Sequence, residues 1–137
     1  GETGTITRLL EWGLDVNAVN HSGRTLLHRT AMPDATAPDI TRGWRVSIAE
    51  LLLVHPDIEV NLVDRKGRTA LRLAAVYGAG RLSKPLLEHP DIMLSIAHGY
   101  GDTPLHVAVG RQCKRTTHAL LEAGADAVHH DGDGATP

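Results

Sequence analysis

The chain has 137 residues and a formal net charge of −2, with a sequence pI near 6.5. This balance gives no general electrostatic reason to bind nucleic acid or an anionic membrane, so neither is an expected partner. The single cysteine, Cys113, excludes an internal disulfide and is compatible with a reducing, intracellular compartment, either cytoplasmic or nuclear.

A Gly-x-Thr phrase occurs four times along the chain and marks a repeat. Its glycines, at spacings of 44, 34 and 33 residues, are Gly23, Gly67, Gly101 and Gly134. A leucine pair also recurs in the copies, as Leu9-Leu10, Leu52-Leu53, Leu86-Leu87 and Leu120-Leu121. A near-constant period of this length indicates stacked copies of one supersecondary unit. The sequence therefore predicts a repeat solenoid.

One copy shows the repeated pattern most fully. Residues 101–108 read Gly-Asp-Thr-Pro-Leu-His-Val-Ala, and residues 120–126 read Leu-Leu-Glu-Ala-Gly-Ala-Asp. This copy resembles the ankyrin repeat, whose pattern runs Asp-x-x-Gly-x-Thr-Pro-Leu-His-x-Ala-Ala, then a second helix ending in Leu-Leu, then Gly-Ala-Asp-Val-Asn. The resemblance covers essentially the whole chain. It implies an all-α solenoid of helix-turn-helix units with projecting β-hairpin fingers, and it brings no catalytic residues.

The chain divides into successive units of one array. In chain order these are a partial repeat at 1–17, full repeats at 20–61, 64–95 and 98–128, and the opening finger of a further repeat at 131–137. Both ends look like cuts through a longer array. We expect Leu105, Val107 and Leu120 to be partly exposed at the uncovered end, which would favour end-to-end self-association.

The first full repeat carries an insertion between its two helices, at about residues 33–43. Prolines and small polar residues without helical periodicity predict a loop there. Loops on a rigid scaffold often carry function, but a tolerated insertion costs little closure entropy. The sequence leaves both interpretations open.

The phrase itself predicts local structure. Each Gly supplies positive φ in a finger, and the Thr two residues later can cap the following helix. The resemblance implies that His28 and His106 join neighbouring repeats through backbone and Thr groups. The middle repeat has Arg72 at this position and Pro85 inside its second helix. Since arginine cannot accept a hydrogen bond, we expect that link to be lost and the middle repeat to open most easily.

The resemblance also implies where a partner binds, in the concave groove of finger tips and first helices. The candidate partner-binding residues at these positions are Arg24, Arg65, Lys66, Arg68, Tyr77, Tyr100, Asp102 and Arg111. The centre of this strip is basic, and Tyr and Arg are enriched in binding hot spots, so an acidic or phosphorylated peptide is the expected ligand. The alternative is that the finger charges only keep the tips solvated.

The residues point to no chemistry of their own. No phosphate-binding glycine loop, catalytic group or cofactor motif is present, and the His129-His130-Asp131 cluster lies on a glycine-flanked turn, so we expect no metal site. The expected function is a non-enzymatic protein-protein interaction scaffold. The alternative is a substrate-recruiting module of a larger enzyme or signalling protein whose active domain lies outside this chain.

Two asparagines are candidate modification sites. Asn17 and Asn61 each follow an acidic residue and Val, with a Leu upstream at Leu9 and Leu53. This resembles the sequence accepted by the asparaginyl hydroxylase that modifies ankyrin domains in animal cells. The alternative is an Asn amide that only holds the backbone of the hairpin.

Overall fold

A computed structural model describes residues 2–33 and 41–137 of the chain. The helices of this part are α1 (Glu2–Glu11), α2 (Leu26–Ala31), α3 (Thr41–Leu53), α4 (Ala70–Val76), α5 (Gly80–Leu87), α6 (Pro104–Gly110) and α7 (Lys114–Glu122). Within the same residues there is no regular strand, and the fingers contain one isolated antiparallel bridge, between His98 and Asp102.

The helices form two layers. The inner helices α2, α4 and α6 pack side by side in that order, and the outer helices α1, α3, α5 and α7 do the same. Each inner helix also packs against the outer helix that follows it in the chain. Each unit therefore contacts its neighbours along the stack, as in a solenoid, and the predicted all-α repeat array is confirmed.

The inner helices begin at threonine N-caps. The Thr69 hydroxyl accepts a hydrogen bond from the Arg72 amide at 3.1 Å, and Thr25 caps the start of α2 in the same way. Such a cap contributes about 1 kcal/mol by satisfying an amide that the helix leaves unpaired. Thr103 holds the same position before α6, where Pro104 needs no amide partner. The predicted capping role is confirmed at Thr25 and Thr69.

The core is a ribbon of small and leucine side chains between the layers. Alanines on the inner helices, including Ala31, Ala74 and Ala108, are fully buried and allow neighbouring helices to approach closely. In the three full repeats the first leucine of the pair is also fully buried, at Leu52, Leu86 and Leu120. Each contributes about 1.5–3 kcal/mol by area burial.

The expected exposure of the last full repeat was wrong for two of its three residues. Leu105 is 1% exposed and Leu120 is fully buried, whereas Val107 is partly buried. Both leucines belong to the core cluster, and α6 and α7 pack against α4 and α5, so these leucines are buried without a following repeat. The second leucine of the last pair, Leu121, is the residue left 47% exposed.

The fingers are tight hairpin turns, each closed by two backbone hydrogen bonds. The first residues of the four fingers are Asn20, Asp64, His98 and Asp131. The amide of each donates to the carbonyl four residues later at 2.9–3.0 Å, and its carbonyl accepts the amide of the repeat glycine. The four repeat glycines have φ between 71° and 81°, which confirms their predicted role. A side chain at Gly23 would also collide with the next finger, because its Cβ would lie 2.9 Å from the Arg65 amide nitrogen.

Three of the four fingers are further held by the side chain that opens them. The Oδ1 atoms of Asn20, Asp64 and Asp131 each accept hydrogen bonds from the amides two and four residues later, at 2.8–3.1 Å. His98 opens the third finger and makes no such pair of bonds within the described residues. The third finger is therefore the least constrained.

The inserted segment extends a helix as well as a connection. Helix α3 has 13 residues, compared with 8 in α5 and 9 in α7, and its extra residues lie at the N-terminal end. The loop predicted at about 33–43 is therefore wrong for residues 41–43, which are helical, and residues 34–40 lie outside the described residues. The last proline of the segment is Pro38, so residues 41–43 contain no proline that would prevent a helix.

Pro85 lies past the first turn of α5, as the sequence predicted. It removes the amide that would donate to the Arg81 carbonyl.

Among the described residues, no helix is long and apolar enough to cross a membrane.

Candidate protein-interaction surface

Two histidines join neighbouring repeats. Nε2 of His28 lies 3.0 Å from the Arg68 carbonyl, and Nε2 of His106 lies 3.1 Å from the Ala135 carbonyl. In both rings Nδ1 accepts a hydrogen bond from the backbone amide of the capping Thr at 3.2 Å. Because a neutral imidazole has one protonated nitrogen, Nε2 carries the proton and donates to the carbonyl. Burial lowers the pKa of His28, which keeps this ring neutral. The predicted structural role of both histidines is confirmed.

Arg72 makes the same link in the middle repeat. Its Nη1 donates to the Asp102 carbonyl at 2.7 Å, the position that corresponds to the acceptors of the two histidines. Its Nη2 also lies 3.4 Å from the Asp102 carboxylate, with which it forms an ion pair. The expected loss of this link was wrong, because the contact between repeats requires only a donor, and arginine supplies one.

Asp64 anchors the second finger. Its Oδ2 accepts a hydrogen bond from Nη2 of Arg68 at 2.7 Å and pairs with Nε of Arg24 from the first finger at 3.3 Å. Burial alone would raise the pKa of this carboxyl, but the bonds from Arg68, the Lys66 amide and Arg24 together hold its pKa well below its usual value. Asp64 is therefore a charged, buried acceptor that ties two fingers together.

The candidate binding residues fall into three rows along the face formed by the fingers and the inner helices. The row before the Thr caps is internally paired: Arg24 and Arg68 both bind Asp64, and Asp102 binds Arg72. The finger-tip row is exposed and consists of Arg65, Lys66 and Tyr100, the last 77% exposed.

The third row lies at the far ends of the inner helices. Tyr77 and Arg111 hold equivalent positions, immediately after α4 and α6, and both are exposed. Arg111 and Asp102 line one open concave pocket of about 490 Å³, together with Val76 and Val109. The structure therefore brings the candidates into a strip along the inner face, with Tyr77 and the finger tips at opposite ends of α4.

Asp64 is not among the residues that the sequence predicted for this surface. Its signal was present in the Asp-x-x-Gly element of the repeat pattern, since Asp64 lies three residues before Gly67. The turn-closing role of Asp64 could have been found from that spacing. Its pairing with Arg24 could not, because these residues meet only after two repeats stack.

A family model of ankyrin repeats, in three copies, matches residues 40–131. The chain belongs to the ankyrin repeat family. The chain is also similar to Rabankyrin-5 of Mus musculus, at 34% identity over 73 residues, and to Rabankyrin-5 of Homo sapiens, at 37% over the same length. Each alignment covers 53% of this chain and 5% of the relative. Ankyrin repeats are generally protein-protein interaction modules.

In this ankyrin array, Asn17 and Asn61 join the tails of successive repeats, which are the segments that follow the outer helices α1, α3 and α5. The Asn17 side chain donates to the Asp57 carbonyl at 2.7 Å and accepts the Glu59 amide at 2.9 Å. Asn61 makes the equivalent pair with the third tail, donating at 2.6 Å and accepting at 2.9 Å. The side-chain amides of Asn17 and Asn61 therefore each bind the backbone of the following repeat.

The described residues offer no group of three or more His, Cys, Asp and Glu side chains that could hold a metal ion. Cys113 is a free, partly buried cysteine whose Sγ lies 3.7 Å from the Ala75 carbonyl. It packs between the second and third full repeats of the ankyrin array.

Proposed function

We propose that this ankyrin array is a non-enzymatic scaffold that binds a protein partner on its concave face. The observation that carries the proposal is a contrast between two rows of charged residues. The row before the Thr caps is held in ion pairs, whereas the finger-tip row is exposed. Asp64 fixes the second finger through Arg24 and Arg68, and this rigid base presents Arg65 and Lys66 to solvent. Charged groups held on a rigid frame lose little conformational entropy when a partner binds.

The partner is an acidic protein segment. Asp64 neutralises only one of the positive charges at the first two fingers, so the tips keep a positive excess. Tyr100 lies on the next finger and offers exposed aromatic surface beside these charges, and Tyr77 offers further aromatic surface at the far end of α4. Tyrosine and arginine together are typical of binding hot spots.

A second candidate function is recruitment of a substrate to an enzyme or signalling domain elsewhere in a longer chain. Its support is the size of the relatives, since the aligned segment is 5% of Rabankyrin-5. In this case the concave face binds the substrate, and catalysis takes place in another domain. We also propose an intracellular location, end-to-end self-association and hydroxylation of Asn17 and Asn61, and none of these depends on which of the two functions the array has. Mass spectrometry of the native protein tests the hydroxylation directly.

The experiment compares matched charge reversals. The partner is isolated with the immobilised wild-type chain, and its affinity is then measured for Arg65→Glu/Lys66→Glu and for a control, Arg8→Glu/Lys84→Glu. The control changes net charge equally, but its residues are exposed on the outer helices α1 and α5. Arg68 is left intact because its reversal would break the pair with Asp64.

We expect the finger-tip variant to lose at least about tenfold in affinity, since charge-assisted hydrogen bonds contribute roughly 1.5–3 kcal/mol each. The control should bind as the wild-type chain does. Equal binding by both variants, with the fold intact, would place the partner on another surface.

A further inference from the structure

A second basic surface lies at the turns between inner and outer helices. A groove of about 740 Å³ runs across the ends of α2 and α4 and the starts of α3, α5 and α7. Its walls include Pro33 after α2, residues 77–82 around the α4–α5 turn, and residues 113–116 at the start of α7. It therefore crosses three successive repeats.

Among the described residues, the charged side chains that line this groove are all positive. Four cations line it, namely Arg45, Arg81, Lys114 and Arg115, and no Asp or Glu does so within the described residues. Arg81, Lys114 and Arg115 are exposed and form no ion pair with any carboxylate in that part of the chain. This differs from the fingers, where Asp64 and Asp102 pair with three arginines.

The position of Arg115 depends on a glycine. A Cβ added at Gly80 would lie 2.9 Å from Cδ and 3.0 Å from Cγ of Arg115. The absence of a side chain at Gly80 therefore lets Arg115 lie across the first turn of α5, next to Arg81. Helices α5 and α7 both start at this groove, and their N-terminal ends add partial positive charge to that of the side chains.

The groove is separate from the surface of the proposed function. Fingers precede the inner helices, whereas the groove lies after them, so the length of α4 separates the two surfaces. A helix of seven residues spans about 10 Å. The groove cations are on the outer helices, and Tyr77 is the only one of the candidate binding residues in its walls.

We propose that this groove binds a phosphorylated segment of a protein partner. A phosphate ester carries three acceptor oxygens and close to two negative charges at neutral pH, which matches a group of unpaired cations better than a single carboxylate does. The exposed Arg81 and Arg115 offer planar forks of N–H donors, and Lys114 adds a compact charge. Tyr77 and Pro33 supply apolar wall for the residues that flank the phosphate.

The test uses ¹⁵N-resolved NMR of the 137-residue chain. The probes are inorganic phosphate, a Gly-Ser decapeptide with one central phosphoserine, the same peptide unphosphorylated, and a version with Glu in place of phosphoserine. We expect inorganic phosphate and the phosphopeptide to shift the amides of Gly80, Arg81, Arg115 and Thr116, and to leave finger amides unchanged. The unphosphorylated peptide should shift none of them, and the Glu peptide should bind several-fold more weakly than the phosphopeptide.

Matched variants locate the site. Arg81→Gln/Arg115→Gln should weaken phosphopeptide binding by roughly tenfold or more, because each lost charge-assisted bond is worth about a factor of ten or above. Arg65→Gln/Lys66→Gln removes the same charge from the fingers and should bind normally. The proposal is overturned by shifts centred on residues 64–68, by equal loss in both variants, or by equal affinity for the Glu peptide. Failure here leaves the concave-face proposal intact, because that proposal is tested by the finger-tip variants.

Discussion

Replacing Asp64 tests how the fingers are held together. Asp64→Ala removes the acceptor of two finger amides, at 2.9 and 3.1 Å, and of the side chains of Arg68 and Arg24. Breaking a buried pair by removing one partner costs about 3–5 kcal/mol. We expect the lower end of that range, about 3 kcal/mol, because both arginines keep some contact with water.

Asp64→Asn separates the contribution of the turn hydrogen bonds to stability from that of the ion pairs. Its amide oxygen can still accept the two finger amides, as Asn20 does in the first finger. Only the charge-assisted part is lost, so the expected cost is about 1–2 kcal/mol. Because folding lowers the pKa of Asp64, its contribution is present above the ordinary aspartate pKa of 3.8 and is lost as the pH falls below that value. The gap between wild type and Asp64→Asn should therefore narrow at about pH 3.

Urea unfolding followed by circular dichroism measures both variants. The control is Asp131→Asn, because Asp131 closes the last finger in the same way but pairs with no arginine among the described residues. The control should change stability much less than Asp64→Asn does, because the Asp131 carboxylate is exposed to solvent. Equal effects of Asp64→Asn and Asp131→Asn would refute the assigned role of the Arg24 and Arg68 pairs.

Three further substitutions test other parts of the array by the same unfolding measurement. Arg72→Ala should lose about 1–2 kcal/mol with its link to Asp102, whereas Arg72→His should lose much less because it keeps a donor; a harmless Arg72→Ala would contradict the link. Pro85→Ala should raise stability by about 2 kcal/mol by restoring a helical hydrogen bond, and no gain would show that Pro85 does not destabilise α5. His98→Asn should add about 1 kcal/mol by closing the third finger as Asn20 closes the first, and a loss would mean that His98 has a role of its own.

The sequence predicted the parts of the fold that depend on local chemistry. The glycine turns and the caps at Thr25 and Thr69 follow from residues within a few positions of each other, and the structure confirms them. The role of Arg72 was misjudged because the sequence does not show which ring nitrogen of His28 faces the next repeat. Once Nε2 is known to donate, arginine becomes an equivalent donor at that position.

The candidate site was less predictable, because its electrostatics depend on how repeats stack. The sequence placed Arg24, Arg65 and Arg68 together as one basic strip. In the structure Arg24 and Arg68 bind Asp64, so their charge is partly neutralised and Arg65 remains exposed. The basic groove was missed for the same reason, since its cations come from turns that are distant in the chain.

Amide hydrogen exchange of the chain with and without its isolated protein partner tests the central claim most directly. If the partner binds on the concave face, protection should increase at residues 64–68 and 98–102 and along α4 and α6. The exchange rates of the backbone amides in the outer helices α1 and α5 should stay unchanged. Protection confined to the outer helices, with the fingers unaffected, would contradict the account.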